Sequence, residues 1–93
     1  MIQLTLYSRI YCHLCDDMLH ALEALRALAP FEVSVVDVDG DEALVAQYDE
    51  LVPVLVGRRD GATALQLCHY HLEVAKVSAF LTGQDIRPDG GDR

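Results

Sequence analysis

Residues 2–15, IQLTLYSRIYCHLC, hold the transition that decides the fold. Ile2, Leu4 and Leu6 alternate with Gln3, Thr5 and Tyr7, the period of two that a half-buried strand requires. The alternation gives out at Ser8 and Arg9. From Cys12 the period changes: Leu14, Met18, Leu22, Leu25 and Ala29 recur at helical spacing on one apolar face, and Pro30 stops the run. Phe31 to Val38 then returns to alternation and to β-branched side chains. A strand, a crossover helix and a second strand make a βαβ unit, which predicts a parallel pair with a right-handed connection.

Downstream, Asp39 followed three residues later by Glu42 has the form of a capping box and predicts a short helix to about Asp49. Pro53 to Arg58 and Ala62 to Cys68 read as strands. Arg59-Asp60-Gly61 lies between them, and Asp-Gly there signals a hairpin, so the two strands are expected to be antiparallel. The last helix, about Leu72 to Thr82, sets Leu72, Ala75, Ala79 and Phe80 on one side with Val77 and Leu81 beside them, and Gly83 suits a left-handed cap. The order β-α-β-α-β-β-α predicts an α/β domain over residues 1–83: one mixed four-stranded sheet with helices on both faces. The remaining 84–93 carries Pro88 and a Gly-Gly pair, has little to bury, and is expected to be a mobile polar tail.

Composition bounds the partners. Ninety-three residues support one core, burying roughly 60–65% of the unfolded chain's surface. A content of 52% hydrophobic residues excludes global disorder. Seven Lys and Arg against 15 Asp and Glu give a formal charge of −8 and no basic stripe, so neither nucleic acid nor anionic membrane is expected as the main partner. No apolar run approaches the ~20 residues that span a bilayer. The N-terminus lacks a basic segment followed by an apolar stretch and a cleavage site, so a cytoplasmic address is the expectation. Three cysteines are too few, and odd in number, for the disulfide framework of a small secreted protein. A soluble monomer with protein or small-molecule partners follows.

The sharp chemical signal is Cys12-His13-Leu14-Cys15, at the point where strand gives way to helix. The first amides of a helix lack intrahelical acceptors and the peptide dipoles add partial positive charge, so a sulfur placed there is stabilised as thiolate. A free Cys, with a pKa near ~8.5, is only about 3% thiolate at pH 7, and a drop of roughly two units makes thiolate the majority form. Residues three apart on a helix have Cβ atoms about 5–6 Å apart, close to disulfide spacing. Cys12 therefore reads as the attacking sulfur and Cys15, one turn in and less exposed, as the resolving one. Arg9 and His13 can add positive charge beside Cys12. Asp16 and Asp17 oppose a second anion, although acidic residues suit a helix start regardless of chemistry.

CxxC at the first strand-helix junction, the element order, and Val52-Pro53 just before the third strand together resemble the glutaredoxin-like members of the thioredoxin superfamily, over residues 1 to about 82. The resemblance implies a thioredoxin-like fold and a thiol-disulfide oxidoreductase with Cys12 as nucleophile and Cys15 as resolving thiol. It also implies a cis Val52-Pro53 peptide facing the CxxC, with Val52 offering its backbone to an extended substrate. X-Pro is the one peptide bond that turns cis at modest cost, and proline is tolerated at the opening of a strand. Arg9 matches the basic residue that glutaredoxins use for the glycine carboxylate of glutathione, so glutathione is an expected co-substrate beside disulfide-bearing proteins, with no tightly bound cofactor. The Gly-Gly-Asp-type turn that holds the other end of glutathione is replaced here by Cys68-His69-Tyr70-His71. Tyr11 and Leu14 are candidates for an apolar rim, with core packing the alternative for Leu14.

Two other classes remain open on the residues. Cys12 and Cys15 with Cys68, His69 or His71 offer the ligand types of a zinc or iron–sulfur site, while Cys68 alone reads as a buried apolar residue and the histidines as surface groups. A non-catalytic interaction domain, docking a basic partner through Asp37, Asp39, Asp41 and Glu42, is the third reading. The same acidic run hints at calcium but lacks the spaced Glu of an EF-hand loop.

Overall fold

A computed structural model describes residues 1–84. The expected polar tail lies, from residue 85 onward, outside the described residues. Seven elements follow in the expected order: β1 (Ile2–Ser8), α1 (His13–Glu23), β2 (Phe31–Asp37), α2 (Glu42–Tyr48), β3 (Val54–Arg58), β4 (Leu65–His69) and α3 (Val74–Leu81). The sheet order is β2-β1-β3-β4, with β1 and β2 parallel and the two remaining pairings antiparallel. The carboxyl ends of β1, β2 and β4 and the amino end of β3 therefore meet at one end of the sheet.

Alternation along the strands divides the core into two layers. Leu4, Leu6, Leu55 and Leu67 face Met18 and Leu22 of α1 and Val77, Phe80 and Leu81 of α3. On the other face Val54 packs with Val38 and Tyr48, flanked by Tyr7, Leu44 and Val56, so α2 covers that side. The large layer needs a residue without a side chain at its centre. A Cβ on Gly57 would fall 2.7 Å from Phe80 Cε2 and 2.8 Å from Leu67 Cδ1, so only glycine lets the α3 ring lie against β3. In β4 a register shift sets Leu55 opposite Cys68 and Val56 opposite Gln66, and both Leu67 and Cys68 enter the same layer.

Several boundaries differ from the sequence reading for local reasons. The α-helical part of the first helix ends at Glu23, and Ala24–Ala27 tightens into a 3₁₀ turn before Pro30. Its buried face is Cys15, Met18, Leu22 and Leu25 instead of one beginning at Leu14, which is 37% exposed. β2 stops at Asp37 because Val38–Gly40 forms a 3₁₀ turn. Asp39 is not the helix cap: Asp41 Oδ1 accepts the Ala43 N–H at 2.8 Å, and α2 begins at Glu42. The strand expected from Ala62 begins only at Leu65, since a turn closed by the Ala62 N–H on the Arg59 carbonyl, with Gly61 at φ +74°, takes up the residues before it. α3 starts at Val74, two residues later than expected, and ends in a Schellman motif: Gly83 at φ +89°, its N–H on the Phe80 carbonyl, and the Gln84 N–H on that of Ala79.

Candidate functional site

β1 delivers the chain to the end of the sheet at Ser8, and the loop Arg9–Tyr11 turns it into α1. Tyr11 makes the turn in left-handed backbone, at φ +62°, a conformation that costs a non-glycine residue of order 1 kcal/mol or more. Its side chain is 99% exposed. Cys12 follows as the N-cap of α1, in extended backbone, and its sulfur accepts the Cys15 N–H at 3.1 Å. The Cys12 carbonyl receives the Asp16 N–H at 3.2 Å, closing the first helical turn. Cys12 and Cys15 are joined as a disulfide with Cα atoms 5.2 Å apart. Cys12 is partly exposed and Cys15 is 5% exposed, so the sulfur at the helix start is the more accessible of the two. His13, Asp16 and Asp17 are exposed on the first turns around it.

The neighbouring strand ends bring up the second wall. The Val52-Pro53 peptide is cis, with Pro53 buried and Val52 partly exposed, immediately before β3. Val54 pairs with Tyr7, which sets Pro53 beside the end of β1 from which the Cys12 loop departs. The Pro53 carbonyl accepts the N–H of Tyr70, a second tyrosine in left-handed backbone at φ +64°. The Tyr70 hydroxyl donates to the Glu50 carbonyl at 2.6 Å, so Tyr70 straps the proline loop to the end of β4. His69 rests edge-on against the Tyr70 ring at 4.6 Å, and the His71 N–H bonds the His69 carbonyl at 2.7 Å.

Arg9 is not directed at sulfur. Its Nε and Nη2 donate to the two carboxylate oxygens of Asp39 at 3.0 Å each, Nη2 also reaches Asp49 Oδ1 at 2.6 Å, and Nη1 reaches the Asp49 carbonyl at 3.5 Å. The hydrogen bond to Asp49, then that to Asp39, raises an already high guanidinium pKa. Arg9, expected as charge beside Cys12 or as a carboxylate receptor, is held in a clamp that binds the loop before α1 to the turn after β2 and the end of α2. Asp39 and Asp49, which complete it, were missed by sequence reading, because partners 30 and 40 residues away leave no local pattern. The acidic run is likewise accounted for: Asp37 caps the 3₁₀ turn at 2.9 Å, Asp39 holds Arg9, and Asp41 caps α2.

Cys68 lies in the core, and neither it nor His69 and His71 completes a ligand set with the CxxC cysteines. Among the described residues no three His, Cys, Asp or Glu side chains stand together as a metal site. Among the same residues no helix is long and apolar enough to cross a membrane.

The Glutaredoxin-like domain (DUF836) sequence profile matches residues 3–82. Among solved structures, protein Ne2328 of Nitrosomonas europaea is 36% identical, covering 86% of this chain and 91% of its own, with a TM-score of 0.75. Protein XcR50 of X. campestris is 35% identical, covering 88% and 99%, with a TM-score of 0.61. A thioredoxin of Fasciola hepatica, 23% identical over 90% of this chain and 81% of its own, shares the fold at a TM-score of 0.63. No curated protein matches the chain.

Proposed function

The chain belongs to the glutaredoxin-like domain family and shares the thioredoxin fold, and from that premise we propose that it is a dithiol thiol-disulfide oxidoreductase acting through Cys12 and Cys15. The observation that carries the reading is the Cys12 sulfur accepting a backbone N–H at the opening of α1, with Cys15 close enough to bridge. An amide aimed at sulfur favours the anion, and the anion is the nucleophile.

In the reduced enzyme the Cys12 thiolate attacks one sulfur of a substrate disulfide. A bond forms between Cys12 and the attacked sulfur, the substrate S–S bond breaks, and the other substrate sulfur leaves as thiolate. Cys15 loses its proton to solvent and attacks Cys12 Sγ. The mixed disulfide breaks, the second substrate sulfur leaves, and the Cys12–Cys15 disulfide remains. Two electrons have passed to the substrate, and an external thiol reductant returns them. Val52, beside the cis peptide, is the backbone against which an extended substrate would align, and Tyr11 and His13 form the exposed rim.

The test is turnover of a disulfide substrate with a thiol reductant. Wild-type protein turns over, Cys12→Ser falls by at least ~10²-fold to the uncatalysed background, and Cys15→Ser accumulates a mixed disulfide visible by mass spectrometry. Undiminished turnover by Cys12→Ser contradicts the reading and returns the protein to a binding role.

A further inference from the structure

The end of the sheet that carries the CxxC differs in charge and polarity from the opposite end. Three of the guanidiniums lie at the far end and are already occupied. Arg26 holds Glu23 and lies over the Phe31 ring, Arg58 reaches Gln3, and Arg59 donates to the Phe80 carbonyl and covers its ring. At the CxxC end of the sheet, among the described residues, the exposed carboxylates of Asp16, Asp17, Asp39, Asp49, Glu50 and Glu73 outnumber the Lys and Arg side chains, Arg9 and Lys76. Arg9 is itself embraced by two of those carboxylates, whose side chains remain about half exposed. Within this acidic rim stand apolar side chains that the fold leaves in solvent: Ile10 is 65% exposed, Tyr11 99% and Leu14 37%.

Resting on the redox reading above, we propose that this face docks a cationic, apolar-flanked segment of a disulfide-bearing protein in preference to an anionic small disulfide such as oxidised glutathione. Complementary charge raises the encounter rate with a basic segment, and the exposed apolar side chains supply area to bury against it. An anionic ligand meets the opposite situation. A carboxylate seeking Arg9 must displace Asp39 or Asp49. The backbone amides of Tyr70 and His71, at the turn before α3, are spent on the Pro53 and His69 carbonyls. The step itself is the exchange written above, with the partner's disulfide as oxidant and its cysteines as product.

The experiment uses the reduced full chain and three disulfide-linked peptides that differ only in flanking residues, Lys, Ser or Glu, together with oxidised glutathione. Each rate constant is divided by that of dithiothreitol, an uncharged dithiol, on the same substrate. At low ionic strength the Lys peptide is expected to react at least ~10-fold faster than the Glu peptide or oxidised glutathione, a preference that collapses toward unity near ~0.5 M salt. Asp16→Asn with Asp17→Asn lowers the ratio of the Lys peptide's rate to the Glu peptide's, a ratio in which any change these substitutions make to the Cys12 thiolate cancels. Tyr11→Asn, which tolerates the left-handed backbone, slows all three peptides by about threefold or more at either salt concentration. Equal rates for the Lys and Glu peptides, or a faster reaction with oxidised glutathione, overturn the inference while leaving the redox function standing. Failure to reduce even the Ser peptide overturns the redox function and the inference with it.

Discussion

The Cys12 sulfur stands 3.1 Å from the Cys15 backbone nitrogen, so the first cysteine caps the helix that carries the second. One atom thus serves stability and chemistry. Serine keeps a capping acceptor at that position and loses the thiolate, whereas alanine loses both. In the reduced state Cys12→Ala should be less stable than Cys12→Ser by about 1 kcal/mol, read from denaturant midpoints at equal slope. Identical midpoints would mean that a side-chain acceptor at position 12 does not cap α1.

The clamp on Arg9 predicts a different kind of defect. In Arg9→Met the carboxylates of Asp39 and Asp49 face each other without their shared cation, and the loop before Cys12 loses its tie to α2. Because the pairs are exposed, global stability should change little, and that little should shrink in ~1 M salt. Amide hydrogen exchange should rise at residues 9–12 and stay level in β3. Unchanged exchange in that loop would show the clamp to be decorative.

Much of the architecture was legible because hydrophobic period marks it directly. The strand alternation of Ile2, Leu4 and Leu6, the helical spacing of Met18, Leu22 and Leu25, and the Asp60-Gly61 turn each report on neighbours in sequence. Boundaries failed where two nearby residues offered the same local chemistry. Asp39 and Asp41 are both good caps, and Asp41 takes the role because Asp39 lies within the 3₁₀ turn Val38–Gly40, its side chain bonded to Arg9. Leu14 has the spacing of a core residue, but the helix begins one residue after Cys12 and turns Cys15 inward in its place. At the site, the CxxC was readable because both sulfurs lie within one helical turn. The Arg9 clamp and the Tyr70 strap onto Pro53 and Glu50 were not, since they join segments that only the closed sheet brings together.

A pH prediction comes from Tyr48. Burial, and then the charge of Tyr7, whose ring stacks on it at 4.7 Å, raises its phenol pKa above the ordinary value near 10. The folded chain therefore holds this proton more tightly than the unfolded chain. Its contribution is complete below pH ~10 and is lost as the pH climbs through the folded value. Thermal midpoints of the wild type should consequently fall more steeply above pH ~10 than those of Tyr48→Phe. Parallel curves would remove Tyr48 from the alkaline limit.

The most direct test of the redox account is titration of Cys12 in the Cys15→Ser variant, followed by thiolate absorbance and by the pH dependence of alkylation. Capping by an amide at the helix start predicts an apparent pKa below about 7.5, against ~8.5 for an unperturbed cysteine, with alkylation rising in the same range. An apparent pKa at or above ~8.5 would mean that the helix start does not activate this sulfur, and the oxidoreductase reading would fail with it.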